Sequence, residues 1–154
     1  MPTTPAHFSR RAHAWETYFT TTARLTERIE SALKREARLS MAEYSVLLMT
    51  SRAADSGVRP SVLAKQVVFS RSRLTHTLKR LEARGLVRRE ACKGDGRGGL
   101  VLLTDEGSRV FQSAALVQRS VLRELFLDGI SEEEIRVLTT LFTRVATRLD
   151  GRPQ

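Results

Sequence analysis

Apolar positions in this chain recur with two periods, and the periods predict most of its elements. From His7 to Arg38, Trp15, Tyr18/Phe19, Thr22, Leu25, Ile29 and Leu33 return every third or fourth residue with no Gly or Pro between them. That is the spacing of one helical face. Ser40-Met41-Ala42-Glu43 is a capping-box pattern, Ser accepting from free N–H groups and Glu reaching back three residues later. It predicts a second helix carrying Tyr44, Val46, Leu47 and Leu48 and ending before Asp55-Ser56-Gly57. Val58-Arg59 is expected as a short extended piece, a third strand of a small sheet. Pro60 suits the first turn of a helix over 61–67 with Val62, Leu63 and Val67 on one side, since a first-turn N–H has no partner to lose.

The stretch from Phe69 to Gly107 changes period twice. Ser70 caps a helix over 70–84 in which Leu74, Leu78 and Leu81 form one stripe, and Gly85 ends it. At 100° per residue the opposite side carries Ser72, His76 and Lys79, flanked by Arg73, Thr75 and Arg80. Leu86–Cys92 and Leu100–Thr104 are then rich enough in aliphatic residues to be strands, joined by a glycine-rich tip from Lys93 to Gly99. Thr104 caps the next helix, with Val110, Ala114, Val117, Val121 and Leu125 in its stripe until Asp128-Gly129 breaks it. Ser131 to Glu134 is a second capping box, followed by Ile135, Leu138, Leu141/Phe142, Val145 and Leu149.

These elements predict a mainly α fold with a small β-hairpin. A winged helix-turn-helix domain over 39–104 lies between an N-terminal helix (1–38) and C-terminal helices (105–154). Three long end helices cannot all hide their stripes behind so small a winged domain, so they are expected to pair with their copies in a second chain.

Charge sharpens the picture. The chain has a net charge of +9, and residues 60–100 hold ten Lys and Arg against Glu82, Glu90 and Asp95, which places +7 of it there. Charge gathered on the helix–hairpin segment is the footprint of a phosphate-binding face. Arg71, Arg73, Lys79 and Arg80 are candidates to grip phosphate, and an Arg can also fork onto guanine. Ser70, Ser72, Thr75 and His76 supply shorter groups for base edges or backbone. On the hairpin tip, Lys93 adds a cation, Arg97 is the candidate minor-groove probe, and Asp95 is placed to brace that guanidinium. The pattern leaves open which of these groups read bases. The expected partner is double-stranded DNA; a winged helix used for protein contact or RNA binding is the alternative. The front face lacks the aromatics on which single-stranded RNA stacks.

Composition excludes several other classes. No run of eighteen apolar residues is present and Met1–Ala6 lacks a secretory pattern, so a cytoplasmic protein without a membrane span is expected. A single Cys excludes an intramolecular disulfide and a cysteine-based zinc cluster. No nucleophile elbow, HExxH or phosphate-loop GxxxxGK[ST] occurs, and Gly94–Gly99 lacks the Lys-Ser/Thr a phosphate loop needs. No enzyme activity, metal or cofactor is therefore expected.

Leu74-Thr75 through Leu81-Glu82-x-x-Gly85-Leu86-Val87-x-Arg89, then Asp95-x-Arg97-Gly98 and Leu103-Thr104-x-x-Gly107, resembles the winged-helix signature of the MarR family. Leu39-Ser40-x-x-Glu43-Tyr44-x-Val46-Leu47 resembles that family's second helix. The resemblance implies a dimeric bacterial transcription regulator paired through its first, fifth and sixth helices. Two copies related by a two-fold axis should meet a near-palindromic operator and block or compete with polymerase. That makes repression the default expectation and activation the alternative. The resemblance also implies a small-molecule effector between the dimerisation helices and the winged lobe, where Trp15, Tyr18, Phe19, Met41 and Tyr44, with His13 or Arg11, are the candidate lining. Some members sense oxidants through a cysteine; Cys92, near Arg88, Arg89 and Lys93, is read as a structural thiol with redox sensing as the alternative.

Overall fold

A computed structural model describes residues 6–91 and 99–151. Helix α1 is Ala6–Ala37, and it is two-natured. Ile29, Ala32 and Leu33 are buried, whereas every side chain from residue 9 to 24 is exposed. Helix α2, Met41–Ala53, starts at the predicted capping box: the Glu43 N–H donates to Ser40 Oγ (3.2 Å) and the Ser40 N–H donates to Glu43 Oε2 (2.9 Å). A 3₁₀ turn, Ala54–Ser56, follows.

Val58 exchanges two backbone hydrogen bonds of 2.9 Å with Val101. The expected third strand is thus a single antiparallel bridge, because Pro60 starts α3 (Pro60–Gln66) two residues later. Proline has no N–H with which to extend a ladder. Helix α3 is only seven residues long and buries Leu63 and Ala64. Val62, expected on the inward side, is 44% exposed, because a 100° step from Leu63 carries it off so narrow a face.

Helix α4, Arg71–Ala83, buries Leu74, Leu78 and Leu81 as their spacing predicts, and Thr77 with them. Gly85 leaves the helix at φ 67, a left-handed conformation suited to glycine. Strands β1 (Val87–Glu90) and β2 (Leu100–Leu103) pair antiparallel with Val87 opposite Leu103 and Glu90 opposite Leu100. Cys92, Lys93, Asp95 and Arg97 lie outside the described residues.

Helix α5 is Asp105–Leu122, and a π-helical turn, Arg123–Leu127, extends it. Leu125, which the α-helical period puts on the inward stripe, is 52% exposed, and the rest of that turn is exposed too, because the end of the helix runs beyond the core. Helix α6, Glu132–Asp150, has its predicted capping box at Ser131 but no buried residue. One core spans the molecule: Leu33 of α1, Val46 and Leu47 of α2, Leu63, Leu78, Leu81, Val101 and Ala114 meet in it. Helix α1 packs along α5, and α2 touches α1, α4 and α5. Among the described residues no helix is long and apolar enough to cross a membrane.

Candidate nucleic-acid interface

Helix α4 divides its side chains as a grooved-surface reader requires. Leu74, Leu78 and Leu81 anchor it, and Arg71, Ser72, Arg73, Thr75, His76, Lys79 and Arg80 are all exposed. Ser70 is absorbed by capping, since its Oγ accepts from the Arg73 N–H at 3.2 Å. The Thr75 hydroxyl donates to the Arg71 carbonyl at 2.8 Å, so what it still offers outward is an acceptor. The hydroxyl of buried Thr77 donates to the Arg73 carbonyl at 2.9 Å, which satisfies it inside the helix.

The cations of this face differ in freedom. The Arg73 guanidinium lies 4.0 Å from the centroid of the Phe69 ring, a cation–π contact that holds the side chain across the start of the helix. Arg80 is tied back to α2: its Nε lies 3.3 Å from Glu43 Oε1, and Arg84 Nη1 lies 3.7 Å from Glu43 Oε2. In the hairpin, Arg89 pairs with Glu82 at 2.6 Å, and Arg88 pairs with Glu90. Among the described residues Arg71 and Lys79 have no such partner.

The tie of Glu43 to Arg80 and Arg84 is what residue order leaves invisible. Burial alone would raise the Glu43 carboxyl pKa, yet the value lies below the ordinary one. The backbone and hydroxyl hydrogen bonds of Ser40, the Arg80 hydrogen bond and the Arg84 charge together outweigh burial. The capping box is legible from Ser40 and Glu43, but nothing local points 37 residues onward to Arg80. The Phe69–Arg73 contact had a usable signal, an aromatic and an arginine four residues apart, that passes unnoticed because Phe69 precedes the helix.

The candidate effector residues do not form one cavity within the chain. Trp15, Tyr18 and Phe19 line an open recess of about 600 Å³ on α1, and the Tyr18 ring lies 5.1 Å from that of Phe142 on α6. Tyr44 lines a different recess of about 590 Å³ with Leu48, Arg52, Phe111 and Arg119, its ring 5.9 Å from Phe111. Met41 lines neither and packs on the core. A third cavity of about 760 Å³ lies where the 3₁₀ turn, the hairpin base and α5 meet, lined by Thr50, Asp55, Arg88, Thr104, Ser108 and Phe111 among others. Arg11 and His13 are exposed. Among the described residues no group of three His, Cys, Asp or Glu is placed to hold a metal.

Comparison with known proteins agrees with this architecture. The MarR family pattern matches residues 39–98, which run from just before α2 through α3, α4 and β1 and end before β2. The transcriptional regulator PecS of Dickeya dadantii (strain 3937) is 32% identical over 137 residues, covering 84% of this chain and 80% of PecS. Two solved MarR family transcriptional regulators of Streptomyces coelicolor superpose closely. Sco3205, crystallised in complex with DNA, gives a TM-score of 0.88 at 30% identity over 95% of this chain and 90% of its own. AbsC gives 0.86 at 30% identity over 99% of both chains. With nearly its whole length matched in fold and the stretch from α2 through β1 matched in sequence, the chain belongs to the MarR family of transcriptional regulators.

Proposed function

We propose that the protein is a homodimeric, sequence-specific repressor that sets α4 of each copy in successive major grooves of a near-palindromic operator and answers to a small-molecule effector. The observation that carries this reading is the division of α4: an aliphatic back that is fully buried, and a front of unpaired or lightly held cations, hydroxyls and an imidazole. That residue mixture suits both phosphates and base edges. The solved relative Sco3205 was crystallised in complex with DNA, which supports the same partner here. Lys93 and Arg97 in the sequence of segment 93–99, with Asp95 as the expected brace, extend the reading into the flanking minor groove.

Pairing is supported by what α1 and α6 leave uncovered. Trp15 and Phe19 are 65% and 60% exposed, and Ile135, Leu141, Phe142, Val145 and Leu149 of α6 are exposed as well. An apolar surface of that extent belongs in an interface. A two-fold pair spaces its reading helices by about 34 Å, one turn of DNA, and a dimer lying across a promoter excludes polymerase. Effector response is supported by the recesses beside Tyr44 and Trp15.

Sedimentation and footprinting test this together. The expected outcome is a dimer protecting a two-fold site, with affinity falling steeply as salt rises. A stable monomer, or equal affinity for every duplex, overturns the proposal.

A further inference from the structure

Glu43 is the one charged side chain among the described residues that is buried, at 7% exposure. A carboxylate out of water needs compensation, and a capping box supplies part of it. The chain carries a second such box for comparison. Glu134 accepts from the Ser131 N–H and hydroxyl just as Glu43 does from Ser40, yet Glu134 is exposed and has no guanidinium partner among the described residues. What sets the first box apart is that both of its carboxylate oxygens also face cations from the last turns of α4. Arg80 and Arg84 sit along the edge of the front face nearest α2, Arg80 one turn beyond His76. Each could otherwise extend toward a phosphate.

We propose that Glu43 is a specificity-determining positioning residue, which draws Arg80 and Arg84 off the phosphate backbone and leaves α4 to meet DNA through Arg71, Arg73, Lys79 and its short polar groups. The inference rests on α4 being the reading helix, and it removes Arg80 from the phosphate-gripping set that composition alone assigns. Sequence-independent affinity grows with each phosphate neutralised, whereas base-edge contacts are indifferent to Arg80. Withholding cations therefore lowers binding to random DNA and widens the ratio by which the operator is preferred.

The experiment uses the full chain, a duplex enriched by the wild-type protein from a randomised library, and a random duplex of equal length. Affinity is measured from about 50 to 200 mM salt, a range over which one added phosphate contact steepens the loss by about 3.5-fold. Glu43→Gln keeps an acceptor for Ser40 and removes the charge. It is expected to bind random DNA more tightly, lose affinity at least about 3.5-fold more steeply over that range, and show a reduced operator preference. Adding Arg80→Gln to Glu43→Gln is expected to undo most of that steepening. A residue that merely supports the fold would weaken binding to both duplexes without steepening either. Arg80→Gln alone, in case Glu43→Gln does not fold, is expected to leave the wild-type salt dependence unchanged; a shallower one shows that Arg80 already grips phosphate and overturns the inference. An unsteepened, folded Glu43→Gln overturns it too. If the wild-type protein enriches no site at all, the reading of α4 fails first, and that failure is visible before any variant is made.

Discussion

A methyl group at Gly107 is the sharpest single test of how the helical bundle is joined to the hairpin. Gly107 is buried in the first turn of α5, three residues after the capping Thr104. A Cβ there would overlap the Leu86 carbonyl oxygen and lie 2.8 Å from its carbon and 3.2 Å from the Leu86 Cα. These are backbone atoms, so no rotamer change relieves the overlap. Relief requires α5 to lift from the start of β1, which breaks the bonds from the Thr104 N–H to Leu86 O (3.2 Å) and from the Thr104 hydroxyl to Gly85 O (2.6 Å). Two lost bonds cost about 1 kcal/mol each and overpacking adds roughly 1–3 kcal/mol, against about 1 kcal/mol returned by the better helix propensity of alanine. Gly107→Ala should therefore destabilise by about 2–4 kcal/mol and lower Tm by roughly 5–15 °C. Gly129→Ala is the matched control, because nothing lies within 4 Å of its Cβ, and it should change stability by less than about 0.5 kcal/mol. Thermal melts followed by circular dichroism, with urea titrations beside them, measure both variants. Should Gly107→Ala melt with the wild type, the close approach of α5 to Leu86 is not a feature of the folded protein.

Three further outcomes follow from particular residues. Val68 holds φ 54 in the turn between α3 and α4 and is 88% exposed; a left-handed β-branched residue is strained, so Val68→Asn should raise the urea midpoint by the equivalent of about 1 kcal/mol, and a fall would show that the valine side chain is needed. Leu78 is 1% exposed and Val62 44%, so Leu78→Ala should cost about 2–5 kcal/mol in urea unfolding while Val62→Ala costs well under about 1 kcal/mol; comparable losses would contradict the placement of Val62 outside the core. The carboxyl of Glu43 has a folded pKa below its ordinary 4.5, so its contribution is present above that value and disappears as pH falls through the lower, folded one. Glu43→Gln should accordingly be less stable than the wild type at neutral pH, and the two urea midpoints should converge in acid; a constant gap would sink the assignment.

What the sequence makes legible here is what a few neighbouring residues settle among themselves. Ser40, Ser70, Thr104 and Ser131 each cap the helix their position predicts, because a cap is satisfied within one turn of chain. The exposed front of α4 follows likewise from a 100° step and three buried leucines. The errors begin where a third partner decides. Val62 has helical spacing on its side, but α3 is too short to bury it. Leu125 continues a regular stripe, but the π turn that carries it lies wholly outside the core. Trp15 and Tyr44 are joined in the expected effector cleft by family likeness, and within one chain they line separate recesses. Arg80 reads as a free cation in any count of charge, and only the packing of α2 on α4 shows the carboxylate that holds it.

Consecutive residues of α2 show how the two halves of the molecule are fastened. Glu43 faces α4 through Arg80 and Arg84, whereas Tyr44 faces α5, stacking on Phe111 and donating its hydroxyl to Gln118 Oε1 at 3.4 Å. A helix turns 100° per residue, so neighbours in sequence can serve different elements. The two attachments are unequal. Toward α4 a buried carboxylate meets two guanidiniums above a core containing fully buried Val46 and Leu47. Toward α5, among the described residues, the single side-chain hydrogen bond is the long one from Tyr44, beside a recess open to solvent. The contact of α2 with α4 therefore combines ion pairing with buried packing, whereas its contact with α5 rests on a ring stack and one long hydrogen bond.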